Sequence, residues 1–191
     1  MKTLFLIPAR GGSKGIPHKN IKNLNGKPLI LYSVDVARQL ARAEDICVST
    51  DDPAIIRVVE EAGLSVPFVR PAEYATDLST TNEVIRHALD HYQEHGVDYD
   101  RTVLLQPTSP LRTARHVAEA MALYDDSLDM VVSVRRFLDS VLLFKETEDG
   151  YLRHVFNTQK GIRRQDAMEF YEYNGAIYVI NNRSIYSKGL T

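Results

Sequence analysis

The chain has little that would tie it to the cell exterior or to a membrane. A single cysteine, Cys47, excludes an intrachain disulfide framework. No apolar run approaches the roughly 20 residues that cross a bilayer. The opening run of Leu4, Phe5, Leu6 and Ile7 stops at Pro8-Ala9-Arg10, short of the roughly 7–15 apolar residues of a secretory leader. An excess of one charge is lacking too. Lys plus Arg is 23 and Asp plus Glu is 25, so the formal net charge is −2. That balance offers nucleic acid no global basic field, although it allows a local basic pocket. Internal repeats and low-complexity tracts are also missing. A cytoplasmic enzyme or binding protein is what remains. The composition is ordinary for a globular protein, 44% hydrophobic and 25% charged, which disfavours disorder. The 191 residues amount to about one domain and are enough to bury a core without staples.

Strand and helix signals alternate along the chain. Residues 4–7 form a short apolar run ended by Pro and Gly, which predicts a strand buried on both faces, as in a parallel sheet. Strands are predicted at 46–49, where Cys47 reads as a buried thiol, and at 66–69, 102–105, 130–134 and 175–180. Helices are predicted after Pro28, after Asp52-Pro53, after Thr80 with Glu83 at capping-box spacing, and at 116–123. Alternation of this kind implies an α/β fold with a mostly parallel sheet and right-handed crossovers. Near residue 135 the pattern changes. A smaller excursion, with β-like segments and a Glu148-Asp149-Gly150 turn, is expected to leave the sheet and return by Asn174.

The segment Ile7-Pro8-Ala9-Arg10-Gly11-Gly12-Ser13-Lys14-Gly15-Ile16-Pro17-His18-Lys19-Asn20 carries the strongest chemical signal. It follows the first strand, at the carboxyl end of a parallel sheet, where open α/β proteins bind ligands. Gly11 and Gly12 allow backbone amides to come close to a ligand, Ser13 adds a hydroxyl, and Arg10, Lys14 and Lys19 bring three cations into one loop. Such a set suits a polyphosphate. The spacing matches neither a P-loop nor a dinucleotide fingerprint.

This loop resembles the signature of the CMP-sialic acid synthetases (acylneuraminate cytidylyltransferases), a family that includes legionaminate and pseudaminate enzymes. Further segments agree in order: Ser49-Thr50-Asp51-Asp52, Arg70-Pro71-Ala72-Glu73, Leu104-Leu105-Gln106-Pro107-Thr108-Ser109-Pro110-Leu111-Arg112, Val131-Val132-Ser133-Val134 and Asn174-Gly175-Ala176-Ile177-Tyr178. The resemblance covers nearly the whole chain. It implies a single domain over 1–191 of the nucleotide-diphosphosugar transferase type, a Rossmann-like three-layer sandwich with a dimerisation excursion at about 135–172. It also implies transfer of CMP from CTP to a nine-carbon α-keto acid sugar, with Mg²⁺ as cofactor and pyrophosphate as leaving group. The product would be an activated sialic acid for cell-surface polysaccharide.

The roles implied by the resemblance fall on matching positions. Arg10, Ser13, Lys14 and Lys19 would hold the triphosphate, with Lys19 and Arg10 catalytic through charge neutralisation. Asn20 would reach the ribose or α-phosphate. The backbone of Ala9 and Arg10, together with Arg70 and Thr81, would recognise cytosine. Gln106 would contact the sugar; Arg164, Gln165 and Asn174 would touch it or reach it across a homodimer. The apolar cluster Val141-Leu142-Leu143-Phe144 fits a dimer contact or a cap on the monomer core.

Two departures from the family pattern bear on this reading. Family members take metal-binding aspartates from an Asp-x-Asp segment downstream of the Asn-Gly-Ala-Ile-Tyr strand, and no Asp follows Asn174 here. The metal ligands are therefore expected in a tail beyond Thr191. Some sialic acid-specific members carry Arg two residues before that Asn, where this chain has Glu172. Arg163 or Arg164 could bind the sugar carboxylate instead, and the identity of the nine-carbon sugar stays open. Two alternatives are an enzyme that activates the eight-carbon Kdo sugar and a non-catalytic nucleotide-binding paralogue. His87, His91 and His95 share a helical face, but neighbouring Asp90 and Glu94 make a solvated surface the expected reading. Asp51-Asp52 reads as a helix start rather than a metal pair.

Overall fold

The computed structural model describes residues 1–137, 144–154 and 170–189. Contacts divide the chain into two units, one of 1–133 with 175–191 and one of 134–174.

The first unit is built on strand β1, Thr3–Pro8. Leu4, Phe5, Leu6 and Ile7 are each at most 2% exposed, so both faces of this strand are covered. Phe5 and Ile7 join a core cluster with Ile30, Val34, Ile55, Val59 and Val117. Leu4 and Leu6 join another with Ile85, Ala88, Leu89 and Ile185. The period-2 alternation of a strand thus separates two helical layers. Helices α1 (Leu29–Arg38), α2 (Pro53–Glu61) and α4 (Ala114–Ala122) cover one face. Helices α3 (Thr81–Glu94) and α5 (Asn182–Ser187) cover the other. Each fully buried large side chain contributes about 1.5–3 kcal/mol, so β1 alone anchors both layers.

The sheet runs in the order β4 (Ile46–Ser49), β1, β5 (Arg101–Leu104), β9 (Phe170–Asn181), β6 (Met130–Phe137). β4 and β5 flank β1 in parallel, and β9 is antiparallel to β5. The expected α/β class with a mostly parallel sheet is what forms. Cys47 lies fully buried in β4, and its thiol pKa is pushed up to about 12, chiefly by burial.

Local signals act as their chemistry dictates. The Asp52 carboxylate caps α2 by accepting from Ala54 N at 2.7 Å, and Thr80 with Glu83 closes a reciprocal capping box on α3. Asn25 and Gly26, with φ of 51° and 81°, close a small hairpin of β2 (Asn23–Leu24) and β3 (Lys27–Pro28), as an Asn-Gly pair favours. The strand expected at 66–69 does not form. Only an isolated Thr50–Val69 bridge exists. Pro67 removes a donor and Val69 is 63% exposed, so this segment has neither the ladder nor the burial of a strand.

The second unit contains a hairpin of β7 (Phe144–Glu146) and β8 (Leu152–His154). Gly150, at φ 79°, lies in the expected turn. Arg135 pairs with Glu172, and Asn174 Nδ2 donates to Val134 O at 3.3 Å. Residues 141–143, Arg163, Arg164 and Gln165 lie outside the described residues.

Candidate active site

The carboxyl end of β1 opens into a cavity of about 460 Å³, within the size class of small-molecule sites. Arg10, Ser13, Lys14, Lys19, Asn20, Arg70, Thr81 and Gln106 all line it. Of the sequence-predicted residues in the first unit, only Ala9 is off the lining. Ala9 is 1% exposed, and its N–H is taken by Ser49 O at 2.9 Å. Asn174 belongs to the second unit.

The glycine-rich loop is set by the segment that follows β4. Gly11 N donates to the Asp51 carboxylate at 3.0 Å. A Cβ on Gly11 would come within 2.5 Å of Asp52 Oδ2 and 2.8 Å of Asp52 Cβ. Gly11 is thus required for close packing on the α2 cap, and its amide is already committed, contrary to the expectation that it faces a ligand. Gly12 has open space around it. At the far end of the loop, Asn20 is buried and donates to Arg10 O at 3.1 Å. Besides lining the cavity, Asn20 therefore fixes the backbone of a cation.

The cations differ in their partners. Arg10 donates to Thr76 O at 2.5 Å and pairs with Asp77 at 2.8 Å. Lys14 pairs with the other oxygen of the same carboxylate. These contacts hold the Asp77 carboxyl below its ordinary pKa, the Lys14 hydrogen bond first and Arg10 after it. No acidic side chain among the described residues pairs with Lys19.

Arg70 is 4% exposed. Its Nε donates to Ser49 Oγ at 2.9 Å, Nη2 to Ser49 O, and Nη1 to Tyr74 O at 3.3 Å. Burial pushes its pKa down. This guanidinium holds the 70–74 turn against β4 and also lines the cavity. Thr81 opens α3, and Ser79 beside it accepts from Thr76 N at 3.0 Å. The turn that carries Asp77 is thereby ordered by its own hydroxyls.

Asp77 is the residue that sequence reasoning missed. Its only signal is an acid inside the polar stretch Thr76-Asp77-Leu78-Ser79-Thr80, between two expected nucleotide contacts. The histidine face was also misjudged. His87 and His91 rest on the Phe68 ring at centroid distances of 4.8 and 4.7 Å, so neither is a simple solvated group.

Among the described residues, no group of three or more His, Cys, Asp or Glu is arranged to hold a metal ion. Nor is any described helix long and apolar enough to cross a membrane.

The sequence model of the family described as Cytidylyltransferase matches residues 4–188. This chain belongs to the cytidylyltransferase family. Among curated relatives, the N-acylneuraminate cytidylyltransferase of Streptococcus agalactiae is 39% identical over 188 residues, which cover 96% of this chain and 44% of that protein. The CMP-N,N'-diacetyllegionaminic acid synthase of Legionella pneumophila is 35% identical over 200 residues, covering 98% of this chain and 84% of that protein. The chain thus spans less than half the length of the streptococcal relative. Among solved structures, a CMP:2-keto-3-deoxy-manno-octonic acid synthetase complexed with CTP superposes with a TM-score of 0.72 at 21% identity, covering 98% of this chain and 78% of that one. At that identity the likeness speaks for the fold. The cation loop of this cytidylyltransferase lies at the carboxyl end of β1, between β4 and β5, where an open α/β sheet puts a ligand.

Proposed function

We propose that this cytidylyltransferase transfers CMP from CTP to the anomeric hydroxyl of a nine-carbon α-keto acid sugar of the N-acylneuraminate type. The observation that carries the reading is one cavity lined by the cation loop, by Arg70 with Thr81, and by Gln106. It provides ground for a triphosphate, a base and an acceptor sugar.

In this reading the hydroxyl oxygen attacks the α-phosphorus, and the bond from that phosphorus to the bridging oxygen of pyrophosphate breaks. The hydroxyl proton leaves with solvent or a base that these residues do not identify. Negative charge grows on the equatorial oxygens and on the departing pyrophosphate. The protein's work is positioning and charge neutralisation. Lys19, with no acidic partner among the described residues, meets that charge directly. Arg10 and Lys14 must exchange Asp77 for phosphate oxygens. Both ion pairs are solvent-exposed, with side chains 34%, 79% and 43% exposed for Arg10, Lys14 and Asp77; pairs of this kind are weak and exchange readily.

Arg70 and Thr81 take the cytosine side, Asn20 holds the Arg10 backbone beside the ribose, and Gln106 faces the sugar. Asn174, Arg164 and Gln165 are assigned to the sugar as well, from the chain itself or across a homodimer through the 135–172 excursion. Mg²⁺ is the cofactor this reading expects, to neutralise charge on the phosphates. A cytoplasmic reaction, with access to the CTP pool, is part of this reading.

The sialic, legionaminic and pseudaminic acid names of relatives at 35–40% identity favour a nine-carbon acceptor over the eight-carbon Kdo sugar. The test is pyrophosphate release with CTP, Mg²⁺ and a panel of N-acetylneuraminate, N,N'-diacetyllegionaminate, pseudaminate and Kdo. Release with one nine-carbon sugar is expected. Tight CTP binding without release for any sugar would make the chain a nucleotide-binding module instead.

A further inference from the structure

The segment that supplies Gln106 ends in Arg112, which does not line the cavity. Arg112 is 7% exposed. Its Nη1 donates to Gln106 O at 3.2 Å and to Ala176 O at 2.6 Å, and Nη2 donates to Ser33 Oγ. Its Nε has no hydrogen-bond partner among the described residues, and no carboxylate among them pairs with it. Burial pushes its pKa down to about 10. A buried cation facing only neutral acceptors is an unfavourable way to fill a core.

What the guanidinium supplies is geometry. One rigid fork joins the carbonyl of Gln106, just past β5, to the carbonyl of Ala176 in β9. Next to Ala176 stands Gly175, at φ 73°. A Cβ there would approach Gln106 Oε1 to 3.2 Å and Cδ to 3.9 Å. The side-chain amide of Gln106 therefore lies against Gly175, while Arg112 grips the backbone of the same residue. Arg112 holds the backbone end of Gln106, and the missing Cβ of Gly175 leaves the side-chain oxygen the place it occupies; neither residue lines the cavity. Lysine could not replace the fork, because its ammonium is a point charge on a flexible stem.

We propose that Arg112 and Gly175 are positioning residues that together fix the Gln106 amide for the acceptor sugar. This rests on the assignment of Gln106 to the sugar.

Two measurements on the whole chain test it. The first needs no turnover: ¹H–¹⁵N spectra of the side-chain amides, with the Gln106 pair assigned by its loss in Gln106→Ala. The wild type should show that pair dispersed. Arg112→Met, Arg112→Lys and Gly175→Ala should each move it to the averaged position of a solvated glutamine while the backbone spectrum stays folded. An unmoved pair in folded Arg112→Met and Gly175→Ala overturns the proposal.

The second is kinetics with CTP and the sugar that the panel selects. Arg112→Met should raise the sugar KM at least about 10-fold and leave the CTP KM within about twofold; a purely structural loss would move both. In the Gln106→Ala background Arg112→Met should add nothing, because the two act as one unit. A multiplicative effect, or full activity of Arg112→Lys, overturns the proposal. If Gln106→Ala itself leaves the sugar KM unchanged, the sugar assignment fails and takes this proposal with it. If Gln106→Ala is impaired while Arg112→Met and Gly175→Ala are normal, only the proposal fails. Should Arg112→Met not fold, Gly175→Ala carries the same cycle.

Discussion

Two regions of the first unit, the cation loop and the ground behind the cavity, hold their charges in different ways. On one side Arg10 and Lys14 share the Asp77 carboxylate in ion pairs open to solvent, and Lys19 has no acidic partner among the described residues. On the other side Arg70 and Arg112 are buried, and the neutral groups Ser49 and Tyr74, or Ser33, Gln106 and Ala176, accept their hydrogen bonds. The first arrangement can trade its counter-charge for a phosphate oxygen. The second has no anionic partner to trade and serves as a frame. The difference separates cations that can exchange a counter-charge from cations already committed to neutral partners, a distinction that residue type alone does not give.

Substitutions can break that contrast. The largest effect belongs to Lys19. Replacement by Ala should lower the single-turnover rate of pyrophosphate release by about 10²–10³-fold, as loss of a charge-stabilising group typically does, with a smaller loss of CTP affinity. An unchanged rate at saturating CTP would remove Lys19 from the exchangeable side.

Gly11→Val tests whether the loop depends on its platform. The added Cβ meets Asp52 at 2.5–2.8 Å, so the loop must shift. CTP affinity should fall about 10-fold, with about 1–3 kcal/mol of stability lost to overpacking; calorimetry and denaturant titration read the two.

Asp77→Asn sharpens the contrast in the opposite direction. It removes the carboxylate that competes with the triphosphate, so CTP should bind a few-fold tighter at low ionic strength, and added salt should shrink the gain. Weaker binding would show that Asp77 orients the cations rather than competing for them.

The smallest effect lies behind Arg70, at His87. Burial, then His91 and Arg70, hold its imidazole below the ordinary value, against the pull of Asp90 and Glu73. A folded pKa below the unfolded one means that its contribution is complete above about pH 6.5 and declines as the pH falls from 6.5 toward the folded value. The decline should be under about 1 kcal/mol for so partly exposed a group, and it should vanish in His87→Phe.

Much of this was legible in the residues. The buried run at β1, the Asp52 cap and the Thr80–Glu83 box are local signals, and each forms as its chemistry requires. The place of the cation loop was legible as well: its three positive charges follow a buried strand at the carboxyl end of the sheet, and they line the cavity there. The remainder depends on contacts distant in sequence. Asp77 lies 67 residues from Arg10, and nothing near either announces the pair. Gly11 looked like a ligand-facing glycine, yet Asp51 and Asp52, brought alongside by the β1–β4 pairing, decide its role. The stretch 66–69 looked like a strand, but Pro67 and the exposure of Val69 left it one bridge.

The most direct test of the central claim, that the loop after β1 is a cradle for a nucleoside triphosphate, is a crystal structure of the chain soaked with CTP at a concentration that calorimetry shows to be saturating. The account predicts phosphate density against Arg10, Lys14 and Lys19, with the Asp77 carboxylate moved off both of its partners and the base beside Arg70 and Thr81. CTP bound elsewhere, with both Asp77 ion pairs intact, would contradict it.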